Sequence, residues 1–284
     1  MKGASGMNLG TTSINIVSDG TLMLDGGSVF GQIPKAQWEI QVKPDRRNRI
    51  RMGLNCLLIQ APGANILVDT GAGSKRIDRL KEICGLNGNK LQKGLRNVGL
   101  TARDIDYVIL TNLQFDHGGG CTKLDRSGSA VPTFPKAQYL VQRTCWEEAQ
   151  SPNERFVGSF YEDDFLPLQE KGLLKLLDGD YEVIPGVSVK VTDGPSTGHQ
   201  IVLVERGSEK IAYLSDLIPT PYHLPLKYIQ ASDQCPNDTL DRKRDVLRMA
   251  VDGGWLVIFG HGYEQQAGYV QQRNGTTQLV PVTI

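Results

Sequence analysis

Alternating apolar and polar residues at both ends of the chain predict β-strands there. Near the N-terminus, SINIVS and TLMLDG flank Asp19-Gly20, and NCLLIQA and NILVDTG flank PGAN. Two apolar runs separated by a short stretch containing Gly with Asp, Pro or Asn are typical of a β-hairpin. We therefore predict two hairpins in this part of the sequence.

The middle of the chain carries helical periodicity. Residues 74–84 place Ile77, Leu80 and Ile83 on one face of a predicted helix. Further helices are predicted over RTCWEEAQ, FYEDDFLPLQEKG and DTLDRKRDVLRMAVDGG, and Gly253-Gly254 is expected to end the last of them. The chain therefore combines helices with the strands at its two ends.

Thr101, followed three residues later by Asp104, predicts a capped short turn before the strand DYVILT. Strand signals return later in YEVIPGVSVKVTDG, QIVLVERG, EKIAYLSDL and WLVIFGHG. Strand blocks with helices between and after them predict two sheets covered by helices. No repeat or linker divides the sequence, so we predict a single domain over residues 1–284, with residues 1–10 as a flexible tail.

Composition and charge narrow the function classes. Hydrophobic residues make up 39% of the chain and charged residues 22%, and the 31 Lys and Arg balance the 31 Asp and Glu. These totals argue against nucleic acid and anionic membranes as partners. The basic run KPDRRNRIR at Lys43–Arg51 predicts a solvated loop or a clamp for a substrate carboxylate. A small-molecule substrate is the expected partner, and a homo-oligomer is left open.

Location follows from apolar runs and cysteine spacing. No apolar run approaches the roughly 18 residues that a membrane span needs, and MKGASGMNLG lacks the apolar core of a secretory signal. The five cysteines are scattered and never form CxxC. A disulfide framework is therefore unexpected, and we predict a cytoplasmic protein.

Three of the four histidines stand beside glycines near strand-like segments: His117 in FDHGGG, His199 in STGHQ and His261 in FGHG. Asp116 and Asp216 lie at two further predicted strand ends. Divalent ions bind neutral imidazole nitrogens and carboxylate oxygens that converge from rigid elements. Two of these histidines, His117 and His261, together with the two aspartates, predict a site for zinc, iron(II) or manganese.

The chain resembles the metallo-β-lactamase-fold hydrolases, and within them the lactonase and esterase branch, over about residues 14–282. The shared landmarks are ILVDTG, DIDYVILTNLQFDHGGG, STGHQ, LSDLIPT and FGHG, in the family's order. The resemblance implies an α/β fold, an αββα sandwich of two mixed β-sheets flanked by helices. It also implies that Asp116, His117 and His261 hold one ion, with Asp216 as the bridging carboxylate.

The family motif His-x-His-x-Asp-His is degenerate here, because Asn112 and Gln114 replace its first two histidines. His199 is then the only nitrogen ligand left for the other ion. Amide oxygens are poor zinc ligands, but amides are good hydrogen-bonding groups. We therefore predict one ion rather than two, with Asn112 in a supporting or substrate-binding position.

The function we predict is that of a metal-dependent hydrolase. One ion, zinc or alternatively iron or manganese, would activate water against an ester, lactone or related acyl bond. His199 is the expected proton acceptor, and Gln114, Tyr222 and His223 are candidate donors; the resemblance also implies that Asp69 supports the ligand loop. Two alternatives stay open: a catalytically degenerate ligand-binding module, and a mononuclear iron enzyme with non-hydrolytic chemistry.

Overall fold

The computed structural model describes residues 6–273 and 275–284. Its contacts group the chain into two compact units. The first contains the described residues up to Gly20, Leu54–Tyr181 and Ile284; the second contains Thr21–Gly53 and Glu182–Thr283. The single domain predicted over residues 1–284 stays a prediction.

The secondary structure mixes short helices with many strands, as the periodicity predicts. The strands, in chain order, are β1 (Met7–Leu9), β2 (Thr12–Asp25), β3 (Arg49–Ala61), β4 (Ala64–Val68), β5 (Tyr107–Ile109), β6 (Thr122–Leu124), β7 (Ala130–Pro132), β8 (Gln138–Gln142), β9 (Leu174–Leu177), β10 (Tyr181–Ile184), β11 (Val187–Val191), β12 (Gln200–Arg206), β13 (Glu209–Tyr213), β14 (Leu256–Ile258), β15 (Ala267–Arg273) and β16 (Thr276–Val282). The α-helices are α1 (Gly26–Phe30), α2 (Lys35–Trp38), α3 (Ile77–Cys84), α4 (Leu91–Asn97), α5 (Phe115–Gly118), α6 (Arg143–Gln150), α7 (Glu162–Glu170) and α8 (Pro236–Gly253). Short 3₁₀ turns cover Ala102–Asp104, Gly119–Cys121, Ser215–Leu217 and Pro221–His223.

Among the described residues, one seven-stranded sheet has the order β1-β2-β3-β4-β5-β8-β9. β3 and β4 pair antiparallel as far as Ala61 opposite Ala64, which confirms the hairpin predicted at PGAN. β4, β5 and β8 pair in parallel, so their C-terminal ends lie at the same edge. The VDTG and TNLQFDHGGG segments leave the sheet at this edge, and the order of strands therefore brings them together.

The hairpin predicted at Asp19-Gly20 is wrong, because β2 runs through both residues without a turn. The Asp19 carboxylate is buried and accepts hydrogen bonds from the backbone N–H groups of Lys90 at 3.0 Å and Leu91 at 3.1 Å. An Asp that caps distant backbone groups is not available for a local turn. These long-range partners are invisible in the local sequence pattern.

The N-terminal tail prediction is also wrong in part. Met7–Leu9 pairs antiparallel with β2, starting with Met7 opposite Ile14. Residues 1–5, which fall within the same prediction, lie outside the described residues. Met7–Leu9 therefore forms a strand, which the low hydrophobicity of this segment does not predict.

The predicted helices are largely confirmed. The capping box at Thr101 is present, with the Asp104 carboxylate accepting from the Thr101 backbone N–H at 2.8 Å. α8 ends at Gly254, which adopts the left-handed conformation. In α3, however, Ile83 is 63% exposed and only Leu80 and Cys84 are buried. The helix begins at Ile77 and is shorter than the predicted range of residues 74–84. Its buried face is also narrower than predicted, because Ile83 is not part of it.

Each unit has its own hydrophobic core. In the first unit, buried residues of the parallel strands pack with α6 and α7; they include Leu67, Val108, Tyr139, Trp146 and Phe165. In the second unit, the sheet of order β10-β11-β12-β13-β14-β15-β16 packs with α8. Within the part of the chain that the structure describes, no helix combines the length and apolar character needed to cross a bilayer.

Candidate functional site

The predicted site residues fall into two sets, one in each unit. The first set lies in the loop between β5 and β6 of the first unit, where α5 carries Asp116 and His117. The second set lies in loops of the second unit, where Asp216 follows β13 and His261 follows β14.

His117 is buried, and the neighbouring strand-end loop fixes its ring. Its Nδ1 lies 2.9 Å from Oδ2 of Asp69, and the Thr111 hydroxyl donates to the same carboxylate at 2.8 Å. A carboxylate only accepts, so His117 Nδ1 carries the proton and its lone pair is on Nε2. This tautomer leaves Nε2 available as a metal ligand, and a carboxylate partner raises the basicity of such a ligand.

The loop after His117 is packed closely against the VDTGAG segment. A Cβ placed on Gly120 would lie 2.3 Å from the Thr70 carbonyl oxygen, and one on Gly119 would lie 2.6 Å from the Ala72 carbonyl oxygen. The Thr70 N–H and hydroxyl both donate to the His117 carbonyl oxygen, at 2.7 and 2.8 Å. The two glycines are therefore required by the close approach of two backbones.

A buried ion pair supports the same loop, and sequence reasoning missed it. Lys75 Nζ lies 2.6 Å from Oδ1 of Asp164 and donates to the carbonyl oxygens of Gly119 at 2.9 Å and Thr122 at 3.0 Å. Both charged side chains are almost fully buried. Because Lys75 and Asp164 are far apart in sequence, no local pattern indicates that they pair.

Asn112 has a structural role in the loop that carries Asp116. It is fully buried, and its Oδ1 accepts from the Gln114 backbone N–H at 2.9 Å. This Asx-type turn stabilises the chain directly before α5. Asn112 thus serves the backbone at the position where the family motif has its first histidine, and the Gln114 side chain is half-buried.

In the second unit, a backbone carbonyl fixes the ring of His261. Its Nδ1 lies 2.8 Å from the Gly53 carbonyl oxygen, and the Gly53 N–H donates to the His261 carbonyl oxygen at 2.9 Å. The carbonyl only accepts, so the neutral ring has its lone pair on Nε2. That nitrogen lies 3.1 Å from Oδ1 of Asp216. In a neutral His261, two acceptors would face each other, and a proton or a cation between them removes the repulsion.

The backbone beside Asp216 is strained. Ser215, the residue before it, has φ of 46°, and Asp69 in the first unit has φ of 58°. Left-handed conformations of non-glycine residues cost about 1–3 kcal/mol and cluster at functional sites. Each unit therefore holds one such residue next to its predicted metal-binding set.

His199 and His223 are both fully buried within the second unit. His199 Nδ1 lies 2.6 Å from the Thr192 hydroxyl. His223 Nδ1 lies 2.8 Å from the Thr220 hydroxyl, and its Nε2 lies 2.9 Å from the Val29 carbonyl oxygen.

His223 is a core residue. Its ring stacks on Phe30 at a centroid distance of 5.3 Å. Burial, and after it the charge of Lys243, lowers the pKa of His223 to about 3, so the ring is neutral at physiological pH. Because both ring nitrogens are engaged inside the unit, they do not serve the substrate-donor role predicted for His223.

Tyr222 is better placed to meet a ligand. It is half-buried and lines a cavity of about 280 Å³ in the second unit, together with Thr220 and His261. Burial, and after it the charge of Glu264, raises the pKa of the Tyr222 phenol. The hydroxyl therefore stays protonated at neutral pH and can donate a hydrogen bond.

The chain belongs to the metallo-beta-lactamase superfamily, whose family profile matches residues 50–264. The resemblance and the fold class predicted from the sequence are thereby confirmed. The chain is 27% identical over 235 residues to an N-acyl homoserine lactonase of Bacillus cereus, covering 78% of this chain and 86% of that protein. It is 25% identical over 227 residues to the N-acyl homoserine lactonase AttM of Rhizobium radiobacter, covering 75% of this chain and 82% of that protein.

Solved structures support the same fold. A probable metal-dependent hydrolase from Staphylococcus aureus superimposes with a TM-score of 0.87 at 28% identity, covering 98% of this chain and all of that one. AidC, a dizinc quorum-quenching lactonase solved with a product, superimposes with a TM-score of 0.81 at 20% identity, covering 99% and 97%. At that lower identity the likeness shows the fold alone.

Proposed function

We propose that the protein is a hydrolase that binds one divalent metal ion, zinc by preference, and cleaves an ester or lactone bond. Membership of the metallo-beta-lactamase superfamily supports this proposal, as do the lactonase relatives. The observation that carries it is the contact between His261 Nε2 and Asp216 Oδ1 at 3.1 Å. Two ligand atoms about 2.1 Å from a tetrahedral ion lie about 3.4 Å apart, so this pair is close to the spacing of co-ligands.

The donor chemistry fits a metal ion. The proposed ligands are Asp116, His117, Asp216 and His261, two carboxylates and two imidazoles, a set that suits zinc, iron(II) and manganese. Both histidines have Nδ1 on an acceptor of their own unit, which directs the lone pair to Nε2. A bound ion in this family's type of site supplies a Lewis acid and lowers the pKa of water.

We propose one ion rather than two because Asn112 and Gln114 replace two histidines of the other site. The side-chain oxygen of Asn112 accepts from the Gln114 N–H, and a neutral amide oxygen is a poor zinc ligand. His199 alone is a weak basis for a second ion. Its imidazole is proposed instead as a proton acceptor near the reacting water, with the Thr192 hydroxyl fixing the ring through Nδ1.

Tyr222 and Gln114 are the proposed donors to the substrate oxygens. Tyr222 lines the cavity beside His261 and keeps its phenolic proton at neutral pH. A phenol at this position can donate to the oxygen that leaves when a lactone ring or an ester opens. Gln114 offers an amide N–H₂ for the carbonyl oxygen. His223 is left out, because both of its ring nitrogens are engaged.

The test is hydrolysis by protein stripped of metal and reloaded with zinc, iron(II) or manganese. N-hexanoyl homoserine lactone and 4-nitrophenyl hexanoate would be followed by acid release and absorbance. We expect turnover that needs metal and is lost in Asp116→Ala and His261→Ala. Lys93→Met, at an exposed position of the first unit, is the matched control. Folded, metal-loaded protein that hydrolyses neither substrate would contradict the proposal and favour a ligand-binding role.

A further inference from the structure

The cavity beside His261 has five charged side chains in its wall. Besides the groups already described, its wall includes three cations, Lys43, Arg49 and Arg51, and two anions, Asp45 and Glu264. We propose that the substrate carries a carboxylate at the end remote from the bond that is cleaved, and that Arg51, assisted by Lys43, binds it. This inference rests on the proposed function and adds the substrate class.

Arg49 and Asp45 form an ion pair in this wall, which offsets the charge of Arg49. The guanidinium of Arg49 donates to Asp45 Oδ2 twice, from Nε at 2.9 Å and Nη2 at 2.8 Å. The other carboxylate oxygen of Asp45 accepts from the backbone N–H groups of Arg47 and Arg49. Both oxygens of Asp45 are thus engaged by this segment, and the pair is electrically neutral.

Arg51 is oriented but not neutralised. Its Nη1 donates to the Tyr263 hydroxyl at 3.1 Å, and its guanidinium carbon lies 5.1 Å from the centroid of the same ring. Tyr263 is uncharged, and within the described residues no carboxylate lies within ion-pair distance of Arg51 or Lys43. An arginine fork fixed on an aromatic ring is suited to bidentate binding of a carboxylate.

Glu264 carries the negative charge that opposes Lys43 and Arg51 in this wall, and it provides a second test of the proposal. With the Arg49–Asp45 pair set aside, the remaining charged wall residues are Lys43, Arg51 and Glu264, so the cavity keeps one net positive charge. The field of Glu264 reaches Tyr222, where it adds to the effect of burial in raising the phenol's pKa. Removing Glu264 should therefore strengthen binding of an anion, while removing Arg51 should weaken it.

The apolar part of the wall, Met23, Val42 and Pro44, can accommodate methylene groups. The cavity of about 280 Å³ suits a small molecule rather than a long acyl chain. The expected substrate is thus a short-chain ester or lactone that ends in a carboxylate.

The test compares two esters with the same six-carbon acyl chain, mono-4-nitrophenyl adipate, which ends in a carboxylate, and 4-nitrophenyl hexanoate, which ends in a methyl group. We expect zinc-loaded wild-type protein to prefer the adipate. Arg51→Met should lower the adipate-to-hexanoate ratio of kcat/KM about tenfold, and Glu264→Gln should raise it. Lys93→Met, an exposed lysine of the first unit, should leave the ratio unchanged.

An unchanged ratio in Arg51→Met, or a wild-type preference for the hexanoate, would overturn the inference and leave the proposed function standing. If neither ester is hydrolysed, the proposed function fails, and binding decides the inference separately. Monomethyl adipate and methyl hexanoate would then be titrated into the protein by ligand-observed NMR. Tighter binding of the anion, weakened about tenfold in Arg51→Met, supports the inference, and equal binding to both proteins overturns it.

Discussion

The loops that carry His117 and His261 both hold an imidazole ring through its Nδ1, but with different hydrogen-bond partners. A buried carboxylate, Asp69, holds His117, and a backbone carbonyl, that of Gly53, holds His261. Both arrangements put the ring proton on Nδ1 and the lone pair on Nε2. The two partners differ in charge. A carboxylate therefore stabilises positive charge on an imidazole ligand more than a neutral carbonyl does.

The supports behind the two loops also differ. The His117 loop depends on contacts far apart in sequence, including the buried Lys75–Asp164 pair and the approach of Gly120 to Thr70. The loop after His261 is folded on itself, because Gly262 packs against Gln265, three residues further on. Both histidines thus have long-range partners, since the Gly53 carbonyl oxygen holds the His261 ring, but the close glycine contact is long-range in the His117 loop and local in the His261 loop.

The largest effect is expected for Lys75→Met. Removing one partner of a buried ion pair leaves a buried charge, which should lower the free energy of unfolding by about 3 kcal/mol. Arg76 remains within 2.9 Å of Asp164 and limits the loss. Urea unfolding measures the change. The double variant Lys75→Met/Asp164→Leu should recover part of it, and exposed Lys93→Met should stay within about 0.5 kcal/mol of wild type. A Lys75→Met protein as stable as Lys93→Met would contradict this support.

Asp69→Asn tests the charged partner of His117. Loss of a carboxylate that orients a metal-binding histidine should weaken zinc binding about 10- to 100-fold. Competition with a chromophoric chelator measures the dissociation constant. Thr192→Val, which removes the hydroxyl contact of His199, should change it by less than about twofold, because His199 is not a ligand in the one-ion proposal. A large effect of Thr192→Val would indicate that His199 binds metal.

Two glycine variants compare the backbones of the loops. Gly120→Ala places a Cβ 2.3 Å from the Thr70 carbonyl oxygen, and we expect a loss of about 1–3 kcal/mol in unfolding free energy. Gly262→Ala meets the Gln265 carbonyl oxygen at 2.2 Å, but this neighbour is local and can move, so the loss should be smaller. Gly158→Ala, where nothing lies within 4 Å, is the control. Equal losses at Gly120 and Gly262 would mean that the long-range and the local glycine contact support their loops equally.

The smallest effect concerns pH. Protonation of one buried group in each unit should change the free energy of unfolding in opposite directions. Burial raises the pKa of Asp19 in the first unit to about 6, and burial lowers the pKa of His223 in the second to about 3. The folded state withholds a proton from His223, so its stabilising contribution is present above about pH 6.5 and is lost as the pH falls toward 3. The folded state retains a proton on Asp19, so that group favours folding increasingly as the pH falls from 6 toward 3.8.

Urea unfolding between pH 7 and pH 4 separates the two groups. His223→Gln should reduce the loss of stability on acidification, and Asp19→Asn should increase it, each by less than about 1.4 kcal/mol per pH unit. A His223→Gln slope equal to that of wild type would mean that His223 takes up its proton equally in the folded and unfolded states.

The sequence predicted the elements whose signals are local. The β3–β4 hairpin, the Thr101 capping box and the Gly254 helix end all depend on residues a few positions apart. β2 was interpreted wrongly because the partners of Asp19 lie some seventy residues away. The exposure of Ile83 likewise depends on which neighbours reach α3, and helical periodicity carries no such information.

For the candidate site, the glycines beside the histidines indicated which loops matter, and the family motif pointed to Asp69. The hydrogen bond between Asp69 and His117 is present. The pattern could not separate His223, a core residue, from histidines that face a ligand, because burial is a tertiary property. Nor could it indicate Lys75, which precedes α3 and whose partner Asp164 lies in α7, 89 residues further along the chain.

The most direct test of the central claim is the metal content of protein purified without added metal or chelator, measured by elemental analysis. Wild type, Asp116→Ala, His261→Ala and His199→Ala would be compared. We predict about one zinc, iron or manganese ion per chain, lost in the Asp116 and His261 variants and retained in the His199 variant. Two ions per chain, or none together with an unchanged melting temperature when these metals are added, would contradict the one-ion site.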